Sequence, residues 1–310
     1  MRYLTVTIDV EPDCTPGWHY SRPLTFNGVQ IGIKNRLQPL FNKYQIRPTY
    51  LINNVVLEDA ESVETLKNLK GDFELGTHLH PEFIEPQKKF YDYSGKDAKA
   101  IQCSLDSNTE FEKMKNITLL FEKCFNKKPL SFRAGRFGAG INTVKCLQNL
   151  GYKVDTSVTP HINWGFVDYT DLNEQPYFIK EGTLLKQDSN GTVLEIPVSI
   201  IKKRKFIREK TYWLRPVYSD YKNLVMIVDE YSKKYEKNGI VIYNMMFHNV
   251  EVLPENSPYT RTERDCEKYI KNLDIFFTYC KKEEIESLTL SGAYSRIQYN
   301  KLILKEGRKT

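Results

Sequence analysis

Polar and apolar residues alternate along YLTVTIDV (residues 3–10), a run rich in β-branched side chains, and this period of two predicts a strand. The period then lengthens: IGIKNRLQPLFNKY (31–44) has helical spacing, with Pro39 placed to kink it. The same switch recurs down the chain. Strand patterns are predicted at 48–56, 72–79, 130–134, 152–158, 193–200, 239–248 and 286–292. Helical patterns fall at 59–69 (with Asp59 as N-cap), 108–125, 142–151, 223–237 and 263–282, and a last helix is expected beyond 292. SNGT (189–192) reads as a turn leading into 193–200. About eight strands separated mostly by helices imply a parallel sheet curled into a closed or nearly closed α/β barrel. No linker, repeat or low-complexity tract divides residues 1–310, so one domain is expected.

In such barrels chemistry gathers at the C-terminal ends of the strands. Those ends carry Asp9 and Glu11, then His78 and His80, Arg133, Asp155 to Ser157, and His248. His78 and His80 lie in GTHLHPEF (76–83), although the chain has only 5 histidines. On extended backbone, residues i and i+2 share a face, so both imidazoles can look into the barrel mouth. Two imidazoles and a carboxylate make a three-ligand set with positions left open, suited to Zn2+, iron, cobalt or nickel. Either Asp9 or Glu11 can supply the carboxylate, leaving the other to take a proton from water activated at the metal. Arg133, or Arg136 beside it, can pair with the free carboxylate and keep it ionised. His248 has the chemistry of a general acid for a leaving amine. The polar stretch 81–107 is long for a compact domain, and loops of that kind are usually functional.

Composition narrows the classes. Mean hydropathy is −0.51 and the longest apolar runs are far too short to span a bilayer, so an integral membrane protein is not expected. The start, MRYLTVTIDVEPD, has acids where a signal region would be apolar, and a cytoplasmic location is expected. The 6 cysteines form no CxxC pair and read as free thiols. Net charge is +6, concentrated in IIKKRKFIREK (200–210). That run is expected to be a solvated loop or strand edge, with a patch for an anionic partner as the sharper alternative. No nucleic-acid-binding motif accompanies it.

The ordered set TxDxE, GTHLHP, FRAGRFG, VDTSV and MFH resembles the motifs of NodB-type polysaccharide deacetylases, carbohydrate esterase family four, over residues 3 to 292. The likeness is greatest to their cytosolic, surface-polysaccharide-associated branch. It implies a distorted (β/α)7-type barrel. It also implies metal-dependent removal of an N-acetyl or O-acetyl group from an amino sugar or glycan intermediate, nucleotide- or lipid-linked. The metal would be a divalent ion, foremost Zn2+, with Co2+, Ni2+ or Fe2+ as alternatives. In this reading Asp9 is the base, Glu11 and His78 are ligands, Arg133 orients Asp9, and Asp155 holds His248, the acid. A backbone N–H near Arg133 would help to hold the oxyanion.

The motifs also depart from that family. Val10 separates the two acids, which are usually adjacent. The histidines are two apart rather than four, so the third ligand is His80 or, at the usual spacing, Glu82. Ala134-Gly135 stands where a proline is usual. Trp164, Ser157 and Tyr169 are candidates to line a sugar subsite, and Glu251 to reach the site from just beyond His248. Other readings are a different hydrolase of non-peptide C–N bonds, such as an amidohydrolase, and an inactive carbohydrate-binding relative.

Overall fold

A computed structural model describes residues 1–88, 101–188, 190–205 and 208–306. Strand β1 (Arg2–Val10) shows how the barrel is organised, because from Tyr3 onward every residue is buried despite the alternating sequence. Leu4, Val6, Ile8 and Val10 enter the main apolar core. The opposite face carries Thr5, Thr7 and Asp9 into a polar lumen. There Thr5 Oγ1 lies 3.1 Å from Asn244 Oδ1, and Asn244 Nδ2 donates to Thr156 Oγ1 at 2.8 Å. The alternation therefore separates core from lumen, not core from solvent.

The chain continues through β2 (Pro48–Asn53), β3 (Glu74–Leu79), β4 (Ser131–Ala134), β5 (Val154–Asp155), β6 (Tyr177–Phe178) and β7 (Leu194–Glu195). A separate ribbon of β8 (Ile200–Lys205) and β9 (Arg208–Trp213) follows, then β10 (Val241–His248) and β11 (Glu286–Ser287). The main sheet runs β10-β1-β2-β3-β4-β5-β7-β6, with β11 also on β1. Every pairing in it is parallel except β6 with β7. Residues beyond β7 carry the curl round towards β10. Val198 N–H donates to the Val158 carbonyl, and Ser199 N–H to the Asn244 carbonyl at 3.0 Å. With the stretch 194–199 as a stave beside β10 and β1 to β5, the architecture is a curled, seven-stave α/β barrel.

Local chemistry accounts for where the elements differ from the sequence pattern. The strand expected over 48–56 ends at Asn53, whose side chain accepts from Val55 N–H and starts a short helix, Asn54–Leu57. Before Pro39 the helix is widened: residues 28–37 use i→i+5 bonds, such as Gln38 N–H to the Ile33 carbonyl, ahead of the regular turn Gln38–Tyr44. At 286–292 only Glu286–Ser287 pair, and the last helix already begins at Leu290. The pattern at 193–200 splits into β7 and the start of β8, and β6 was not expected. The basic stretch after it, expected as a solvated loop or strand edge, forms strands β8 and β9. The turn expected at 189–192 and the loop expected at 81–107 lie partly outside the described residues. What is described of that loop includes short turns at Pro81–Phe83 and Gln102–Ser104. Lys113 fixes the first of them: its buried ammonium donates to the carbonyls of Pro81, Ile84 and Pro86.

Candidate metal centre and active site

Three strand ends bring three donor atoms together. Glu11 Oε1 lies 3.1 Å from His78 Nε2 and 3.0 Å from His80 Nε2, and the two imidazole nitrogens are 3.0 Å apart. Donors about 2.1 Å from one ion and at right angles to each other stand about 3.0 Å apart, so the set fits a divalent cation. His78 Nδ1 donates to the main-chain carbonyl of Arg133 at 3.1 Å, which leaves Nε2 with its lone pair aimed at the other two donors. Burial opposes a charge on His80, yet the Glu11 carboxylate outweighs it and pushes the imidazole pKa up to about 9. A positive charge is thus favoured where the three donors meet. Among the described residues this is the one group of histidine, cysteine and acid side chains that converges in this way.

The surroundings hold the donors still. The Asn249 side chain clamps the Glu11 backbone, accepting from its N–H at 2.9 Å and donating to its carbonyl at 3.0 Å. Tyr20 donates to Glu11 Oε2 at 3.1 Å. Gly135 explains how a histidine two residues beyond His78 can join the set. A Cβ at Gly135 would stand 2.7 Å from His80 Cδ2 and 2.7 Å from the Leu79 carbonyl oxygen, so only glycine leaves room for the ring. Arg136 and Phe137, which follow, both have positive φ (54° and 57°). This costs roughly 1–3 kcal/mol per residue and turns Arg136 onto Glu82. Glu82, the alternative ligand, stands behind His80: its Oε1 is 3.7 Å from His80 Nδ1 and it is paired with Arg136.

Asp9 lies beside the donor set. Arg133 Nη1 donates to its Oδ1 at 2.7 Å, while Oδ2 is 3.9 Å from both His78 Nε2 and His248 Nε2. Burial raises the Asp9 pKa, but Arg133, His78 and His248 outweigh it and hold the carboxyl below its ordinary value. Arg133 is itself fully buried, with Nε on the Thr156 carbonyl and Nη2 on the Thr7 hydroxyl. Arg133, not Arg136, is therefore the partner of Asp9.

His248 closes the opposite side, with Nε2 4.0 Å from Glu11 Oε1. Its Nδ1 donates to Glu251 Oε1 at 2.9 Å. Glu251 also accepts from Arg215 on Oε1 and from Tyr269 at 2.8 Å on Oε2. Burial works against ionisation of Glu251, and Arg215 with His248 overcomes it, so its pKa is lowered.

The structure departs from several sequence expectations here. Asp155 does not hold His248: its Oδ1 accepts from Ser157 at 2.6 Å, and Glu251 takes the place expected of it. Ser157 and Glu251 are fully buried away from the cleft wall. Ser157 Oγ also accepts from Ala134 N–H at 2.9 Å, so that N–H is already engaged. Trp164 is where a sugar-facing ring would be. It lines a cleft of about 510 Å3 that also receives Asp9, Glu11, His78, His80 and His248, and it stacks on Phe137 at 5.6 Å. Tyr169 is buried, donating to the Phe137 and Ala139 carbonyls. Sequence reading missed Trp18, whose ring lies 5.0 Å from that of His248, together with Tyr20, Arg215, Tyr218 and Tyr259 on the cleft wall. The aromatic cluster YWLRPVY (212–218) was the available signal.

No family model and no curated protein matches the sequence. Solved structures do. A chain from Mycobacterium smegmatis assigned as a polysaccharide deacetylase superimposes with a TM-score of 0.58 at 14% identity, covering 97% of this chain and 92% of its own. The fold is that of the polysaccharide deacetylases. It also supports other chemistry. PuuE allantoinase superimposes with a TM-score of 0.57 at 12% identity, covering 95% of this chain and 89% of its own. A GH57-type branching enzyme from Pyrococcus horikoshii gives 0.51 at 11% identity, covering 94% of this chain and 69% of its own. One deacetylase-type barrel thus carries several reactions, and the reaction has to be argued from the site.

Proposed function

We propose that this chain is a metal-dependent hydrolase that removes the N-acetyl group of an amino sugar or glycan intermediate. The observation that carries the reading is the convergence of Glu11, His78 and His80 between an arginine-held carboxylate, Asp9, and a carboxylate-held imidazole, His248. Zn2+ suits two imidazoles and one carboxylate. Bound there it would act as a Lewis acid and bring the pKa of water down to about 7.

The chain's own groups divide the proton transfers. Asp9, kept ionised by Arg133, takes a proton from the attacking water through Oδ2. The water oxygen bonds to the acetyl carbon as the carbonyl becomes an oxyanion. His248 Nε2 then delivers a proton to the amide nitrogen, the C–N bond breaks, and acetate and a free amine leave. Glu251 orients the ring for this by accepting from Nδ1–H, and His248 acts as the acid in its imidazolium form, with the second proton on Nε2. Trp18 and Trp164 offer ring faces on which a sugar can pack. The test is acetate release from a panel of N-acetylated sugars by the wild type and by Asp9→Asn. Release by the wild type alone supports the reading, whereas equal release by both, or none from the wild type with metal bound, refutes it.

A further inference from the structure

Beyond β9 the chain returns to the barrel. Leu214 N–H donates to the Ser199 carbonyl at 2.8 Å, and the Leu214 carbonyl accepts from Met246 N–H at 3.3 Å. These bonds set the next residue, Arg215, beside His248 at the end of β10. The turn that follows is tied to itself. The Arg215 carbonyl accepts from Tyr218 N–H and Ser219 N–H, both at 3.1 Å, and Ser219 Oγ donates to the Trp213 carbonyl at 2.8 Å. Asn272, on the helix Glu263–Lys282, donates to the Ser219 carbonyl at 3.1 Å. The side chain is held as closely as the backbone. Its guanidinium carbon lies 4.8 Å from the Tyr218 ring centre and 5.5 Å from that of Tyr259, whose hydroxyls are 3.0 Å apart. Nη2 donates to Glu251 Oε1, the oxygen that also accepts from His248 Nδ1, and the two donors stand 3.1 Å apart.

Stability alone does not account for this ion pair. Arg215 is 5% exposed and Glu251 is fully buried, and at that depth desolvation offsets much of the attraction between them. Arg215 Nε is moreover buried with no hydrogen-bond partner among the described residues. Yet the arginine lines the active-site cleft, on the side where His248 stands. We infer that Arg215 is a positioning residue for proton delivery: it fixes Glu251 Oε1, and through it the His248 ring, so that Nε2 faces the reacting group. The inference rests on His248 as the acid of the proposed reaction. Without the guanidinium, Glu251 would keep only Tyr269, on Oε2, beside the imidazole itself. Nothing else would hold Oε1 in place, and the ring would lose its fixed partner on Nδ1. A misplacement of about 1 Å can cost about 10²-fold in rate. Arg215 acts in this way without touching the substrate or the reacting atoms.

The test is steady-state acetate release by the wild type, Arg215→Met, Glu251→Gln and the double variant, with metal analysis of each and a crystal structure of Arg215→Met. In Arg215→Met, kcat should fall on the order of 10–100-fold, with KM within about two-fold of the wild type and the metal retained. The double variant should lose no more than Glu251→Gln alone, because both changes remove the same hold on the ring. It also leaves no carboxylate buried without its cation, so it answers the question even if Arg215→Met folds poorly. In the crystal, His248 Nδ1 of Arg215→Met should have left hydrogen-bond distance of Glu251 Oε1. An unchanged kcat, a raised KM at wild-type kcat, loss of the metal, losses that multiply in the double variant, or an unmoved ring would each overturn the inference. If the wild type with metal bound releases no acetate while the ring still turns in Arg215→Met, the proposed reaction fails and the positioning role stands.

Discussion

Two pairs of buried carboxylates sit at strand ends in this barrel, and the protein treats them in opposite ways. Asp9 and Glu11, at the end of β1, lie among Arg133 and three imidazoles, and both are held below their ordinary pKa despite burial. Asp155 and Glu195, on the paired strands β5 and β7, are equally buried but have mainly each other. Burial pushes Asp155 up to about 6, and burial together with the Asp155 charge pushes Glu195 well up. Asp155 Oδ2 and Glu195 Oε2 accept from no other donor among the described residues, and the two carboxyls hydrogen-bond each other. Depth alone therefore does not decide the charge of a carboxylate; its neighbours do. The first pair is kept ionised where a cation and a substrate can meet it, and the second is pushed towards retaining a proton behind the site.

The largest test of this contrast is removal of the cation that separates the two cases. Arg133→Met leaves Asp9 buried without its partner and should cost about 3–5 kcal/mol of stability, read by chemical denaturation. A variant as stable as the wild type would mean that Arg133 does not set the charge of Asp9. Next comes Asp9→Asn, which keeps the shape and removes the base. Turnover should fall on the order of 10²–10⁴-fold with metal content unchanged, measured by acetate release beside metal analysis. Glu251→Gln should lower turnover on the order of 10–100-fold, again with metal retained, because His248 loses the carboxylate that orients its ring. If Asp155→Asn produced that loss and Glu251→Gln did not, the assignment of the orienting group would be reversed.

The smallest effect concerns the second pair and is a matter of pH. Folded Asp155 keeps its proton up to about pH 6, against an ordinary value of 3.8. The stability it contributes is therefore full below about pH 4 and is lost as pH rises through about 6. Glu195, raised further, extends the fall to higher pH. Asp155→Asn combined with Glu195→Gln should flatten this part of the stability curve, measured as melting temperature against pH. Curves for wild type and variant that run parallel would contradict the account.

Much of the site was legible because barrel topology collects strand ends. Once the strands were placed, Asp9, Glu11, His78, His80, Arg133 and His248 had to meet, whatever the loops did. What escaped depends on contacts between elements distant in sequence. Glu251 rather than Asp155 reaches His248 because the short turn after β10 folds back under the imidazole, and i+3 spacing there looks no different from a loop. The room that Gly135 leaves for His80 is likewise a packing fact across two strands. The lumen face of β1 was visible as alternation, but the same alternation would describe a strand facing water. Only closure of the sheet turns Thr5 and Thr7 inward.

Metal analysis of the purified protein tests the central claim most directly, comparing the wild type with His80→Ala and Glu82→Gln. The account predicts one divalent ion per chain, lost on His80→Ala and retained on Glu82→Gln, because His80 Nε2 joins Glu11 and His78 whereas Glu82 is held behind it by Arg136. Full occupancy in His80→Ala, or loss of the ion in Glu82→Gln alone, would contradict it.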